Sequence, residues 1–259
     1  AITPKPKGKP TYRLVTQMHG SHGYRRVDAG KALARGLAGK LPASWRHADE
    51  NAAVEIWLSI NDATAVCGLR LSDKTMRHRT YKHEHLPASL RPTVAAAMVR
   101  LAGAQPGQVV IDPMCGAGTI LAEQLVEGRR SGANLRVLGG DVDPAAVKVG
   151  GANLRRLDME DLTRWDAGRL PLDDTSVDRI VCNPPFGKQM GEPEEIAPLY
   201  QRIVREWDRV LRPGGTAVVL VADVPALREA ARAVGWKAGR QVRLRVLGQK
   251  ATITVWRKE

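Results

Sequence analysis

From Arg91 onwards the chain alternates short apolar runs with longer stretches of helical spacing, and this rhythm limits the fold more than any other feature. The runs Gln108 to Asp112 (QVVID), Val177 to Cys182 (VDRIVC) and Thr216 to Ala222 (TAVVLVA) are apolar almost throughout, as strands buried from both sides must be. Arg136 to Gly140 adds a further strand. Thr93 to Ala102, with Thr93 as its cap, Thr119 to Glu127, a segment beginning near Pro144, and Ile196 to Leu211 read as helices. The last of these is expected to stop at Arg212-Pro213-Gly214-Gly215. Strands buried on both faces need helices on both faces, so residues 91–259 are expected to form an α/β domain on a mostly parallel, Rossmann-like sheet. Gln241 to Leu247 and Ala251 to Trp256, joined by Gly248 to Lys250, read as an antiparallel hairpin at one sheet edge.

The front of the chain follows a different rule. Tyr12 to Gln17 alternates like a strand, Gly30 to Leu41 is spaced like a helix, and Ala53 to Ile60 and Thr64 to Leu71 read as two strands turned at Asn61-Asp62. Residues 1–75 therefore form a small α+β unit, and the polar stretch 76–90 (MRHRTYKHEHLPASL) reads as a solvated linker. Charge separates the two parts as well. Lys plus Arg number 40 against 27 Asp plus Glu over 259 residues, a net +13. Residues 1–90 hold 15 of the bases and only 7 of the acids, so about a third of the chain carries most of the excess. A polyanion is the expected partner, with Arg77, Arg79 and Lys82 as candidate phosphate contacts.

Some classes are set aside. No apolar run approaches the roughly 18–20 residues of a membrane-spanning helix, and Ala1 to Pro10 (AITPKPKGKP) lacks a signal-peptide core. Cys67, Cys115 and Cys182 are odd in number and widely spaced, which suits neither a disulfide framework nor a zinc site and fits a reducing cytoplasm. The triplet His83-Glu84-His85 has no cysteine near it, and no metal is expected.

Chemistry is expected in the loops after the strands, where open α/β sheets bind their ligands. The first is Asp112-Pro113-Met114-Cys115-Gly116-Ala117-Gly118-Thr119. Position 121, where a dinucleotide fingerprint has its third glycine, is Leu121, and Asp112 sets a carboxylate at the loop mouth. A carboxylate repels a pyrophosphate but attracts an ammonium or a sulfonium, and S-adenosylmethionine carries both. Asp141, followed by Val142, stands 23 positions after Gly118, near the spacing of a ribose-binding acid. Asp143 before Pro144 reads as a helix cap, and Asp166, followed by Ala167, could accept from an adenine amine. The most specific loop is Asn183-Pro184-Pro185-Phe186-Gly187. An amide oxygen and a proline carbonyl aimed at one point suit a planar amine that must donate two hydrogen bonds, and an adjacent ring can stack on a flipped base.

The segments DPMCGAGTILAE (112–123), GGDVDP (139–144), RWDAGRLPL (164–172) and NPPFGKQMG (183–191), in this order, resemble the THUMP-domain tRNA guanine-N2 methyltransferases. The front, with its junction LRPTVAAAM (90–98), resembles the C-terminal part of a THUMP domain, although that family usually has a longer front. The resemblance implies a seven-stranded methyltransferase sheet, an S-adenosylmethionine methyl donor, a tRNA substrate modified at guanosine N2, at position 6 in some members, and a monomeric cytoplasmic enzyme. By it, residues 112–119 hold the methionine part, Asp141 the ribose, and Asp166 with Ala167 the adenine edge. Asn183, Pro184 and Pro185 hold the target amine, Phe186 stacks on the guanine, and Lys188 joins the RNA contacts. Ribosomal RNA guanine-N2 and adenine-N6 methylation share the loop chemistry and remain alternatives, as does a non-catalytic RNA-binding module; glutamine-N5 methylation shares it too, but the basic front argues against a protein substrate.

Overall fold

The computed structural model describes residues 9–70, 78–87, 89–159, 162–185, 193–246 and 248–259. The chain divides into two compact units, Ala1–Met76 and Arg77–Glu259.

The first unit holds β1 (Thr11–His19), α1 (Arg26–Leu37), the two-residue β2 (Arg46–His47), β3 (Val54–Asn61) and β4 (Thr64–Arg70). Its sheet runs β2-β1-β3-β4, with β1 parallel to β2 and β3, and β3 antiparallel to β4. Helix α1 starts earlier than expected because the Asp28 carboxylate accepts from the Arg25 backbone N–H and closes the first turn. Part of the basic charge is used internally: Glu55 accepts from Arg70 at 2.7 Å and from the Trp57 indole at 2.9 Å, and pairs with Arg13 at 3.3 Å.

The second unit is built from α2 (Pro92–Ala102), β5 (Val109–Asp112), α3 (Thr119–Ser131), β6 (Arg136–Asp141), α4 (Pro144–Leu154), β7 (Thr163–Arg164), β8 (Val177–Cys182), α5 (Pro193–Val210), β9 (Leu211–Val221), α6 (Val224–Ala233), β10 (Lys237–Val246) and β11 (Gln249–Arg257). Seven strands form one sheet in the order β10-β11-β9-β8-β5-β6-β7. The pairs from β9 through β7 are parallel, and the β10-β11 hairpin closes the opposite edge antiparallel. The expected Rossmann-like α/β sheet is thus present in number, direction and edge. Chain order reverses between β5 and β8, and this is the place where such a sheet opens a crevice for a ligand.

The apolar strands are buried as their composition requires: Ile111, Ile180, Val181, Cys182 and Ala217 to Val221 are closed to solvent on both faces of the sheet. On one face they meet α5 through Tyr200, Ile203, Val204 and Trp207. On the other they meet α2 through Ala95, Met98 and Val99. Asp178 staples the strand starts, accepting from the Val109 N–H at 2.8 Å and from the Arg212 guanidinium at 3.1 and 3.2 Å.

Four local expectations are corrected. Helix α2 is entered from Arg91 with Pro92 in its first turn, and Thr93 is not its cap, because the rigid proline ring takes the leading position. Helix α5 stops at Val210, one residue before the expected end, but Arg212 to Gly215 are not a free turn: they lie inside β9, whose irregular pairing with β8 absorbs them. Helix α6, absent from the sequence reading, covers the sheet through Leu227, Ala230 and Ala231. Residues 78–87, with 89 and 90, belong to the second unit and are not a solvated linker: Tyr81 is 3% exposed, and its hydroxyl and the backbone near it find buried partners.

Gly140 shows how closely the sheet is packed near its edge. A Cβ there would run into the Thr163 carbonyl oxygen of β7 and the Trp165 indole. Gly140→Ala is expected to cost about 1–3 kcal/mol in stability, read as a lowered urea midpoint; an unchanged midpoint would contradict this packing.

Candidate active site

Three polar residues stand at the carboxyl ends of three neighbouring parallel strands: Asp141 ends β6, Asp112 ends β5, and Asn183 follows β8. Each is the first polar group after a buried run, so the sheet itself brings together residues up to 71 positions apart in sequence. A cavity of about 440 Å³ opens there, a size suited to a small molecule of nucleoside class. Asp112, Asp141 and Asp143 line its acidic side, with the Met114 to Ala117 turn at its floor.

Asp112 is 1% exposed. Its carboxyl accepts from the Met114 N–H at 3.2 Å and from the Cys182 thiol. Burial, reinforced by the nearby Asp141 charge, pushes its pKa up to about 8. Burial likewise drives the Cys115 and Cys182 thiols up, so neither is a poised nucleophile. Asp141 organises the loop as well as lining the cavity: one oxygen accepts from the Gly116 N–H at 2.9 Å, the other from the Asp143 N–H at 3.1 Å. Asp143 accepts from the Ala145 N–H at 2.8 Å, which makes it the cap of α4 as expected, and it also lines the cavity. Gly118 takes φ +74° to turn the chain into α3, where an added Cβ would press on Leu154. Pro113 is buried and its carbonyl accepts from the Trp165 indole at 3.0 Å, fixing the turn from behind. Thr119 lines the cavity at the start of α3, and Val142 stands 59% exposed at its mouth, an apolar surface of the kind a purine can cover.

Asn183, Pro184 and Pro185 line the same cavity. The Asn183 side-chain oxygen is buried without a hydrogen-bond partner, a state shared among the described residues only by the Gln124 oxygen and the Trp207 nitrogen. An orphaned acceptor costs about 1–3 kcal/mol, so a group at a ligand cavity in this state points to an absent donor. Tyr200 on α5 donates to the Pro185 carbonyl at 3.4 Å and supports the loop from the core. Phe186, Lys188 and Arg77 lie outside the described residues.

Other expected residues lie elsewhere or have partners of their own. Asp166 and Ala167 are not among the cavity's lining; the Asp166 carboxylate takes the Arg202 guanidinium at 2.5 Å and the Gly168 N–H at 2.8 Å, and Arg202 holds it below the usual carboxylate range. Arg79 pairs with Glu123 at 2.7 Å, which also accepts from the Tyr81 hydroxyl at 2.6 Å. Lys82 donates to the Leu90 carbonyl at 2.8 Å and to the Thr119 hydroxyl at 3.1 Å.

Two walls were absent from the sequence reading. Leu86, Pro87, Ser89 and Leu90 form one, held by Asn153, whose side chain accepts from the His83 and Glu84 N–H groups and donates to the Glu84 and Ala117 carbonyls. Val246 and Gln249, at the tip of the β10-β11 hairpin, form the other. Both depend on contacts across the fold and carry no local motif.

Residues 79–251 match the family of RMKL-like methyltransferase domains, UPF0020. The chain is 34% identical over 226 residues to the bovine protein named tRNA (guanine(6)-N(2))-methyltransferase THUMP3, covering 81% of this chain and 44% of that one. It is 31% identical over 235 residues to the tRNA (guanine(6)-N2)-methyltransferase of Thermus thermophilus, covering 88% of this chain and 67% of the relative. The fold is similar to the crystal structure of TrmN from Thermus thermophilus, with a TM-score of 0.73 at 24% identity over 98% of this chain and 74% of that one. The chain thus spans less than half the length of the bovine relative.

Proposed function

The chain belongs to the THUMP-associated guanine-N2 methyltransferase family, with its RMKL-like methyltransferase domain at residues 79–251, and from that premise we propose that it methylates the exocyclic amine of a guanosine in tRNA. The observation that carries this reading is the orphaned oxygen of Asn183, a residue that lines the same cavity as Asp112 and Asp141.

The residues present fit S-adenosylmethionine. A buried carboxyl with a raised pKa suits a permanent cation, which would recover the cost of its ionisation. Asp141 would receive ribose hydroxyls, a role supported by its place in the lining, and Val142, exposed at the mouth, would offer an apolar surface to adenine. Bound there, S-adenosylmethionine supplies an electrophilic methyl group on sulfur. Asn183 accepts one N–H of the target amine and a proline carbonyl of the 184–185 pair accepts the other, so the nitrogen lone pair is turned out of the ring plane towards the methyl. The guanine amine is a poor nucleophile while conjugated, and this orientation is what the loop contributes. Asn183 is no base; the carbon–sulfur bond would break as the nitrogen–carbon bond forms, S-adenosylhomocysteine would be the leaving group, and the strongly acidic methylated amine would then lose its proton to water. Phe186 is proposed to stack on the extruded guanine.

The tRNA reading is supported by the names of the two relatives and by the excess of basic residues in the first 90 positions. Guanosine 6, for which both relatives are named, is the position to test first. Incubation of a total RNA pool with labelled S-adenosylmethionine, followed by nucleoside analysis and mapping, is expected to place label in N2-methylguanosine of tRNA. Label in N6-methyladenosine would overturn the proposal, and label confined to ribosomal RNA would replace the substrate.

A further inference from the structure

The proposed ligand brings a charge that the acidic cavity does not match. Asp112, Asp141 and Asp143 make the lining acidic, which suits its sulfonium and ammonium, yet its methionine end also carries a carboxylate. Among the described residues lining the cavity there is no Lys, Arg or His. A carboxylate brought beside three acids without a cation would meet both desolvation and like-charge repulsion.

One cation stands directly behind the lining. The Lys82 ammonium donates to the Leu90 carbonyl at 2.8 Å and to the Thr119 hydroxyl at 3.1 Å, and both of those residues line the cavity. An ammonium has three hydrogens, and these two acceptors take two of them. No carboxylate among the described residues pairs with Lys82, although Arg79, three residues earlier, has Glu123. Among the described residues this half-buried ammonium is bonded only to neutral oxygens and has no counterion, and burial lowers its pKa. Thr119, whose oxygen accepts from Lys82, still has its own hydroxyl hydrogen to give.

We propose that Lys82, together with the Thr119 hydroxyl, receives the carboxylate of the methionine moiety, and so fixes the end of the ligand opposite the base. The backbone next to Lys82 is held for this task, since Asn153 grips the His83 and Glu84 N–H groups while bonding the Ala117 carbonyl of the glycine turn. The inference rests on the S-adenosylmethionine reading and deepens it. Lys82, expected from sequence to touch phosphate, is thereby given to a different anion.

Calorimetry with S-adenosylhomocysteine and its decarboxylated analogue, which keeps the adenosine, sulfur and amine, tests it. Wild-type protein is expected to bind the carboxylate-bearing ligand at least about tenfold more tightly, the scale of a charge-assisted hydrogen bond. Lys82→Met should remove that preference by weakening S-adenosylhomocysteine while leaving the analogue within about twofold, and Lys82→Arg should keep most of it. Equal losses for both ligands in Lys82→Met would mean that the lysine only pins the wall, and would overturn the inference. If Lys82→Met does not fold, the wild-type ratio still decides, and a ratio below about tenfold overturns it. Wild-type protein that binds neither ligand overturns the methyltransferase reading itself, whereas equal binding of both overturns only the role of Lys82.

Discussion

Asn183→Ala is expected to lower turnover by about 10²–10³-fold, the usual effect of losing one preorganised polar contact to the reacting group, while S-adenosylmethionine binds within about twofold of wild type. The two readouts separate because the side chain faces the amine and not the methyl donor in the proposed arrangement. Stability should move the other way. The Asn183 oxygen is buried and unpartnered in the free protein, so alanine removes an unsatisfied acceptor, and the melting temperature should hold or rise. Steady-state rates on unmodified tRNA, calorimetry with S-adenosylmethionine and a thermal melt measure the three quantities on one preparation. Undiminished turnover in the alanine variant would sink the role of Asn183, and equal losses of turnover and ligand binding would make it a structural residue of the loop.

Asn183 was legible in sequence for the same reason as Asp112 and Asp141: each is the polar residue at which an apolar run stops, and a parallel sheet gathers such stops on one edge. The strands were legible because a run buried on both faces has no polar face to disguise it. Helix α6 was not read, although its cap is local, with Asp223 accepting from the Ala226 N–H at 3.0 Å and Pro225 in the first turn. Its buried face is only Leu227, Ala230 and Ala231, and two alanines give a weak apolar signal beside the strand before it. The wall of Leu86, Pro87, Ser89 and Leu90 was hidden by its composition. MRHRTYKHEHLPASL is polar enough for a linker, and what binds it is the Asn153 amide some 70 positions later, together with the Glu123 carboxylate under Tyr81 and Arg79. Polar sequence becomes structure when its bonds are satisfied inside, and the partners of such bonds are not local. Asp166 makes the same point in reverse. Its place after a strand matched the pattern of the other acids, but Arg202, 36 residues on, engages it and it does not line the cavity.

The second large effect concerns Asp112 and pH. In the free protein burial holds its pKa near 8, so at pH 6 it is mostly neutral, and a sulfonium is best met by the ionised form. Binding therefore releases a proton below pH 8, and S-adenosylmethionine affinity should increase with pH by up to about tenfold per unit, flattening above about 8. The ligand amine also titrates near this range, but it does so equally in every variant, so the Asp112 contribution is the difference between wild type and Asp112→Asn. That variant should bind at pH 8.5 at least about tenfold more weakly and lose the Asp112-dependent slope. Stability gives an independent check of the sign. The folded pKa lies above the ordinary 3.8, so the unfolded chain ionises first, and wild type should lose stability relative to Asp112→Asn as pH climbs from about 4 to 8. Saturating S-adenosylmethionine should shrink that loss, because the cation lowers the folded pKa again. Parallel pH profiles for the two proteins, in affinity and in stability, would show that Asp112 is not the contact for the cation. With the predicted divergence, the ionisation cost of a buried acid is what makes this cavity select a cation over the pyrophosphate that a glycine turn of this kind could otherwise hold.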